Sequence, residues 1–212
     1  MVIPKIIVYL GYLILLVNVI AFFSKKKKNK EYKVFSIYLL TTFIIQVVGA
    51  SLAENKIDNL FLSHYYFISQ FVFLSIFYSI ILNGKKIKIG VKFIFSLVLI
   101  TLSINYILEP SIYYQFSLLE VTLCSIPIVI YSLVYFFQSL DSNNKKYLYI
   151  ASGTFAYLLC STLIFLSGNY VSPTKTFWYQ FIWIMNVSLY AIYQSLIFIE
   201  WYKNFRKKEV SS

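Results

Sequence analysis

Charged residues are scarce in this sequence. Asp, Glu, Lys and Arg make up 13% of its 212 residues, whereas a soluble domain is about a quarter charged. Hydrophobic residues make up 59%, aromatic residues 20%, and the mean hydropathy is +0.72. Such a chain lacks the polar side chains that would cover a globule in water. The composition therefore excludes an ordinary soluble domain and predicts an integral membrane protein.

Side chains that catalyse reactions or bind metals are equally scarce. His64 is the one histidine, and the two cysteines, Cys124 and Cys160, lie inside apolar runs. One histidine cannot supply the three ligands of a catalytic zinc, and two such cysteines form neither a disulfide framework nor a metal-binding spacing. The sequence has no G-x-S-x-G motif, no H-E-x-x-H motif and no glycine-rich phosphate loop. We therefore expect no enzymatic activity, no metal and no cofactor.

Long apolar runs, by contrast, occur seven times. A membrane helix needs about 20 mostly apolar residues, and continuous runs favour helices over the alternating strands of a barrel. The gaps between runs are too short for a folded domain. We expect an all-α fold in which residues 1–212 form one seven-transmembrane-helix bundle. The runs cover residues 3–23, 34–53, 60–82, 91–108, 116–137, 147–168 and 177–202.

Basic residues are concentrated in alternate gaps between these runs. One set of gaps holds 16 of the 19 Lys and Arg residues, and the other holds only Lys5, Lys56 and Lys175. Because cytoplasmic loops are enriched in Lys and Arg, we expect the N-terminus outside and the C-terminus in the cytoplasm, in the cytoplasmic (inner) membrane. The densest cluster is predicted to anchor this topology and to attract anionic lipid; it contains Lys25, Lys26, Lys27, Lys28 and Lys30.

The same charges indicate the partners. The lipid bilayer is the first, and an acidic protein docked on the basic cytoplasmic face is the alternative reading of the lysines. A protein partner within the membrane is also compatible with the sequence. The net charge of +11 would suggest nucleic acid on a soluble protein. Here its placement beside apolar runs predicts no nucleic-acid partner.

Ionisable residues inside membrane spans are costly and are therefore candidates for function. Glu120 lies early in the fifth run and shares a helix face with Cys124, Pro127 and Tyr131. This stripe predicts either a cavity above a proline kink or a carboxyl group bonded to a neighbouring helix. Glu200, at the end of the seventh run, is expected at the membrane interface.

Polar side chains in several runs are expected at similar depth in the outer half of the bundle. Asn and Gln facing lipid would leave amide groups unpaired, so these faces should look inward. They predict an outward-facing aromatic pocket for a ligand, although contacts between helices are the alternative explanation for each of them. The predicted pocket residues are His64, Tyr66, Gln70, Glu120, Tyr179, Trp183, Asn186 and Tyr190.

Four segments carry a resemblance to a family: "NLFLSHYYFISQFVFLSIFYSIIL", "SLLEVTL", "IASGTFAYLLCSTLIF" and "FIWIMNVSLYAIYQSLIFIEW". With them the chain resembles a group of small uncharacterised bacterial seven-helix integral membrane proteins. That group commonly has a carboxylate where this chain has Gln70, and a histidine near Met185. The resemblance implies a bacterial seven-helix protein and carries no activity with it.

The function expected from these observations is non-enzymatic. We expect a sensor or receptor-like protein, or a membrane subunit, with an outward-facing pocket for an apolar or lipid-like ligand. The alternative is a small-molecule or proton-linked transporter that uses Glu120. A third interpretation is an intramembrane lipid enzyme, but the sequence shows no set of catalytic residues that would support it.

Overall fold

A computed structural model of the protein describes residues 3–25, 29–141, 145–171 and 177–206. It does not describe the side chains of residues 3–5, 168–171 and 177–179. The predicted anchor residues Lys26, Lys27 and Lys28 lie outside the described residues.

In these ranges the fold is all-α and contains seven α-helices, each long and apolar enough to cross a membrane. This confirms the prediction of an all-α, multi-pass membrane protein. A short 3₁₀ helix, Pro110–Tyr114, connects the fourth helix to the fifth. The helices are α1 Ile3–Phe23, α2 Lys30–Glu54, α3 Phe61–Ile81, α4 Lys85–Leu108, α5 Leu118–Leu140, α6 Leu148–Val171 and α7 Phe177–Asn204.

Three helix starts differ by two or more residues from the starts of the apolar runs. Helix α2 begins at Lys30 and α4 at Lys85, whereas the runs begin at residues 34 and 91. Lysine favours helix, and its long stem lets the amino group reach the interface, so the helices extend beyond the apolar segments. Helix α5 instead begins two residues late, at Leu118, because Ser117 is its N-cap and accepts a hydrogen bond from the Glu120 N–H at 3.3 Å.

Six of the helices form a closed ring. Each packs against its neighbours in the order α1, α2, α3, α5, α6, α7 and back to α1. The interior of the ring is rich in tyrosine: Tyr38, Tyr78, Tyr157, Tyr190 and Tyr193 are all buried. Their rings supply apolar area, while their hydroxyl groups require polar partners. A polar interior of this kind can surround a ligand.

Helix α4 stands outside the ring and packs on α3 and α5. Only Val91, Val98 and Leu102 of α4 are buried, while Phe93 and Ile107 are 67% and 76% exposed. The fourth run, which is the shortest of the seven in sequence, is therefore the peripheral helix. Its position matters because it contributes one side chain to the site described below.

Glu200 lies near the end of α7 and is fully buried among neighbouring helices, while its expected depth at the membrane interface stays a prediction. Its Oε1 accepts hydrogen bonds from Tyr147 N at 2.5 Å and Asn204 Nδ2 at 2.6 Å, and its Oε2 accepts from Tyr149 N at 3.0 Å. The first backbone N–H groups of a helix lack intrahelical partners. The Glu200 carboxylate of α7 supplies acceptors for two such N–H groups at the start of α6, which explains its burial.

Candidate functional site

Helices α3, α4 and α5 bring together three polar side chains, His64, Tyr106 and Glu120, which we call the polar triad. His64 Nδ1 lies 2.9 Å from Glu120 Oε2 and 2.8 Å from the Tyr106 hydroxyl. The Tyr106 hydroxyl also donates to Glu120 Oε2. His64 and Glu120 are 3% and 1% exposed. His64 and Glu120 are therefore buried, Tyr106 is partly buried, and the three polar groups are mutually within hydrogen-bonding reach.

The start of α5 explains how Glu120 is positioned. Ser117 and Glu120 have the spacing of a capping box, in which the glutamate normally turns back towards the cap. Here the Ser117 hydroxyl accepts from the Glu120 N–H, but the carboxylate reaches across to His64 and Tyr106 instead. An acidic group in the first turn of a helix is also stabilised by the helix dipole. Local sequence thus fixes Glu120 at this point of the bundle.

An aromatic side chain from the 3₁₀ helix covers the triad. The ring of Tyr113 stacks on that of His64, with centroids 6.0 Å apart and an interplanar angle of 21°. The Tyr113 hydroxyl lies 3.3 Å from that of Tyr65, and the resulting bond raises the pKa of Tyr113. Helix α4 and the connection that follows it thus close the triad from one side.

The triad can hold a proton between a base and an acid. The imidazole and the carboxyl group can share one proton between Nδ1 and Oε2, with the Tyr106 hydroxyl as a further donor. His64 Nε2 and Glu120 Oε1 are buried and have no hydrogen-bond partner among the described residues. A buried polar atom without a partner is costly in protein or lipid. The triad therefore combines a structural contact among three helices with the elements of a proton-binding site.

Tyr106 and Tyr113 were not identified from the sequence. Tyrosine is abundant here, with 20 residues, so no single one stands out. Tyr106 lies immediately after Asn105, two residues before the end of the fourth run. Since His64 and Glu120 were both expected near the same end of the bundle, a search for phenols at that depth in the adjoining runs would have found Tyr106.

A cavity of about 410 Å³ lies on the other side of α3, among α1, α2, α3, α6 and α7. We call it the central cavity. Its aromatic walls include Phe67, Phe116 and Phe165, whose ring centroids lie 5.7–6.4 Å apart. It is located towards the end of the bundle that carries the α2–α3 connection, because Asn59 also lines it.

Polar groups line one part of this cavity. The Tyr190 hydroxyl donates to Gln46 Oε1 at 3.0 Å, and Asn186 lies one turn before Tyr190 on α7. The Tyr66 and Tyr157 hydroxyls lie 3.5 Å apart across the space between α3 and α6. An apolar cavity with a few convergent polar groups has the usual composition of a small-molecule site.

The residues predicted for one pocket are divided between two places. Tyr66, Asn186 and Tyr190 line the central cavity, whereas His64 and Glu120 belong to the polar triad. Helix α3 separates the two groups, because Ser63, Tyr66 and Phe67 face the cavity and His64 faces α4 and α5.

The remaining predicted pocket residues lie elsewhere. Gln70 is buried and donates to the Tyr38 hydroxyl at 3.3 Å, so it lies in the interior of the ring of helices. Trp183 is 40% exposed and packs its ring against Phe165. The side chain of Tyr179 lies outside the described residues.

At the opposite end, two predicted anchor residues lie within the described part of the chain. Lys25 Nζ lies 4.8 Å from the ring centroid of Phe205 and 5.1 Å from that of Tyr32. Partial burial there lowers the pKa of Lys25. Lys30 is exposed as the first residue of α2. Lys25 thus packs onto aromatic rings at the bundle end, while Lys30 remains exposed.

Comparison with models of protein families, with curated proteins and with solved structures found no match for this chain.

Proposed function

We propose that this protein is a receptor-like membrane protein that binds an apolar or lipid-like ligand in the central cavity. The observation that carries the proposal is the cavity itself: about 410 Å³, lined by residues of five helices, with aromatic walls and a few amide and hydroxyl groups. Ligand sites typically measure about 300–1,000 Å³ and combine apolar walls with a few placed polar groups.

The orientation forms part of this proposal. With the lysine-rich gaps in the cytoplasm, the end that carries Asn59 and Phe116 faces the outside of a bacterial cytoplasmic membrane. A ligand would then enter from the outer leaflet or from the outer aqueous phase. A signal would leave through the basic face near Lys25, where we propose a protein partner.

Photo-crosslinking in lipid nanodiscs tests the binding site. The probe is a dodecanol analogue that carries a diazirine in its chain and an alkyne for detection. Ala50 lines the cavity, so Ala50→Trp should fill it and lower crosslinking strongly. Val48, on the same helix, is 42% exposed, so Val48→Trp is the matched control and should leave crosslinking unchanged. Equal crosslinking of both variants and the parent protein would contradict the proposal.

The second candidate function is proton-linked transport through Glu120, and the polar triad is the observation that favours it. A buried acid bonded to an imidazole is a typical element of a proton relay. In proteoliposomes with an enclosed pH-sensitive dye, an imposed membrane potential should then drive acidification, and Glu120→Gln should abolish it. Acidification at the parental rate in that variant would exclude Glu120 from the pathway.

A further inference from the structure

We propose that the central cavity selects neutral amphiphiles that carry a hydroxyl or carbonyl group, and that it rejects ligands of either charge. This inference rests on the proposed ligand-binding function and specifies the class of ligand. It follows from three features of the described lining: the absence of ionised groups, a cluster of polar groups on α2 and α7, and an aromatic compartment beside that cluster.

The described residues that line the cavity include no Asp, Glu, Lys, Arg or His. Two acids, Glu54 and Asp58, adjoin lining residues in sequence, but both are exposed and neither lines the cavity. The buried pair His64 and Glu120 bond to each other on the opposite side of α3. A charge that leaves water without a partner of opposite sign is strongly disfavoured. A carboxylate or phosphate head group would meet amides, hydroxyls and the negative faces of aromatic rings here. An ammonium group could gain a cation–π attraction over such a ring, but this gain is smaller than the cost of removing an ion from water, so ligands of either charge are at a disadvantage.

The polar cluster offers both a donor and an acceptor. Gln46 uses its Oε1 to accept from Tyr190, so its amide nitrogen is left as a donor. Asn186 is 9% exposed, and its Oδ1 is buried with no partner among the described residues. A hydroxyl group can donate one hydrogen bond and accept others, and a carbonyl group can accept from the amide. Neutral head groups of this kind therefore complement Gln46 and Asn186.

The apolar part of the ligand has a separate place. Phe67, Phe116 and Phe165 form a cluster of rings in the cavity wall, and aliphatic side chains such as Val8 and Leu62 line the rest. Aromatic rings favour an alkyl chain or a flat unsaturated group by burying apolar area. An amphiphile would thus place its head group at α2 and α7 and its tail among these rings.

Three competitors with the same chain length test the selectivity. Dodecanol, dodecanoate and dodecylamine compete with the diazirine probe at about pH 8.5, where the acid is ionised and the amine is protonated. We expect dodecanol to compete at least about tenfold more strongly than either ion, a difference equivalent to about 1.4 kcal/mol. Dodecanoate or dodecylamine competing as well as dodecanol would overturn the inference and leave the binding function intact.

Two variants of Asn186 refine the test. Asn186→Asp adds an acid to the cavity and should shift the preference at least about tenfold towards dodecylamine. Asn186→Leu removes the polar group. It should weaken the competition by dodecanol and should not strengthen the competition by dodecylamine. The control is Asn55→Asp, which adds the same charge at an exposed position beyond α2. An unchanged preference in Asn186→Asp would overturn the inference. If the parent protein showed no saturable crosslinking by the probe, the binding function itself would be refuted.

Discussion

Replacing Glu200 by glutamine should destabilise the bundle by about 2–4 kcal/mol. Glutamine keeps one oxygen, which can still accept from Tyr147 N, but it places an NH₂ group where Oε2 accepts from Tyr149 N. One hydrogen bond to a charged acceptor is worth about 1.5–3 kcal/mol. Removal of the negative charge beside the start of α6 loses a further contribution of up to about 2 kcal/mol.

Thermal unfolding in detergent, followed with a thiol-reactive dye, measures this effect. Cys160 is partly exposed and is first replaced by serine. The remaining thiol, Cys124, is 2% exposed in the folded protein, so it reacts mainly after unfolding. By the scaling for chains of this size, the expected loss corresponds to a fall in Tm of roughly 5–15 °C.

The matched control is Glu54→Gln. Glu54 is exposed at the end of α2, where its Oε1 accepts from the Tyr9 hydroxyl at 2.8 Å. Exposed substitutions usually change stability by no more than about 0.5 kcal/mol. Equal unfolding temperatures for Glu200→Gln and Glu54→Gln would refute the assignment of Glu200 as the cap of α6.

Three further predictions address other parts of the structure. Tyr106→Phe removes a hydroxyl group from the polar triad and should cost about 0.6–1.7 kcal/mol, measured in the same unfolding assay. Gly153→Ala should destabilise the protein by about 1–3 kcal/mol, because the new Cβ would lie 3.0 Å from a Tyr193 ring carbon. The control Gly90→Ala should leave stability unchanged, because no atom lies within 4 Å of its Cβ. In a chain without its native cysteines, a cysteine replacing Asp58 should react with a membrane-impermeant reagent in intact cells, and labelling of that position only after lysis would contradict the proposed orientation.

The helices could be predicted because apolar length directly reports the ability to span a membrane. Their arrangement in a ring could not, since the runs are apolar on most sides and give little indication of which face meets which neighbour. The starts of α2 and α4 were placed too late because an apolar run marks the membrane core, while the helical backbone continues through Lys30 and Lys85.

The candidate site was only partly predictable. Alternation of the spans placed His64 and Glu120 at the same end of the bundle, and the structure brings them into contact at 2.9 Å. Which side of α3 each polar group faces depends on packing, which the sequence does not show. Residues of two separate sites were therefore predicted to form one pocket. The burial of Glu200 was not foreseen because its own position was considered without the start of α6, whose N–H groups bind the carboxylate.

The most direct test of the central claim is a residue-level map of where the dodecanol photoprobe attaches. Mass spectrometry of digested, crosslinked protein in nanodiscs would give this map. Binding in the central cavity predicts adducts on its lining, at Ala50 and Ala53 of α2 and at Val187 and Tyr190 of α7, with loss of these adducts when excess dodecanol is added. Adducts confined to outward-facing positions such as Phe93 of α4, and unaffected by excess dodecanol, would contradict it.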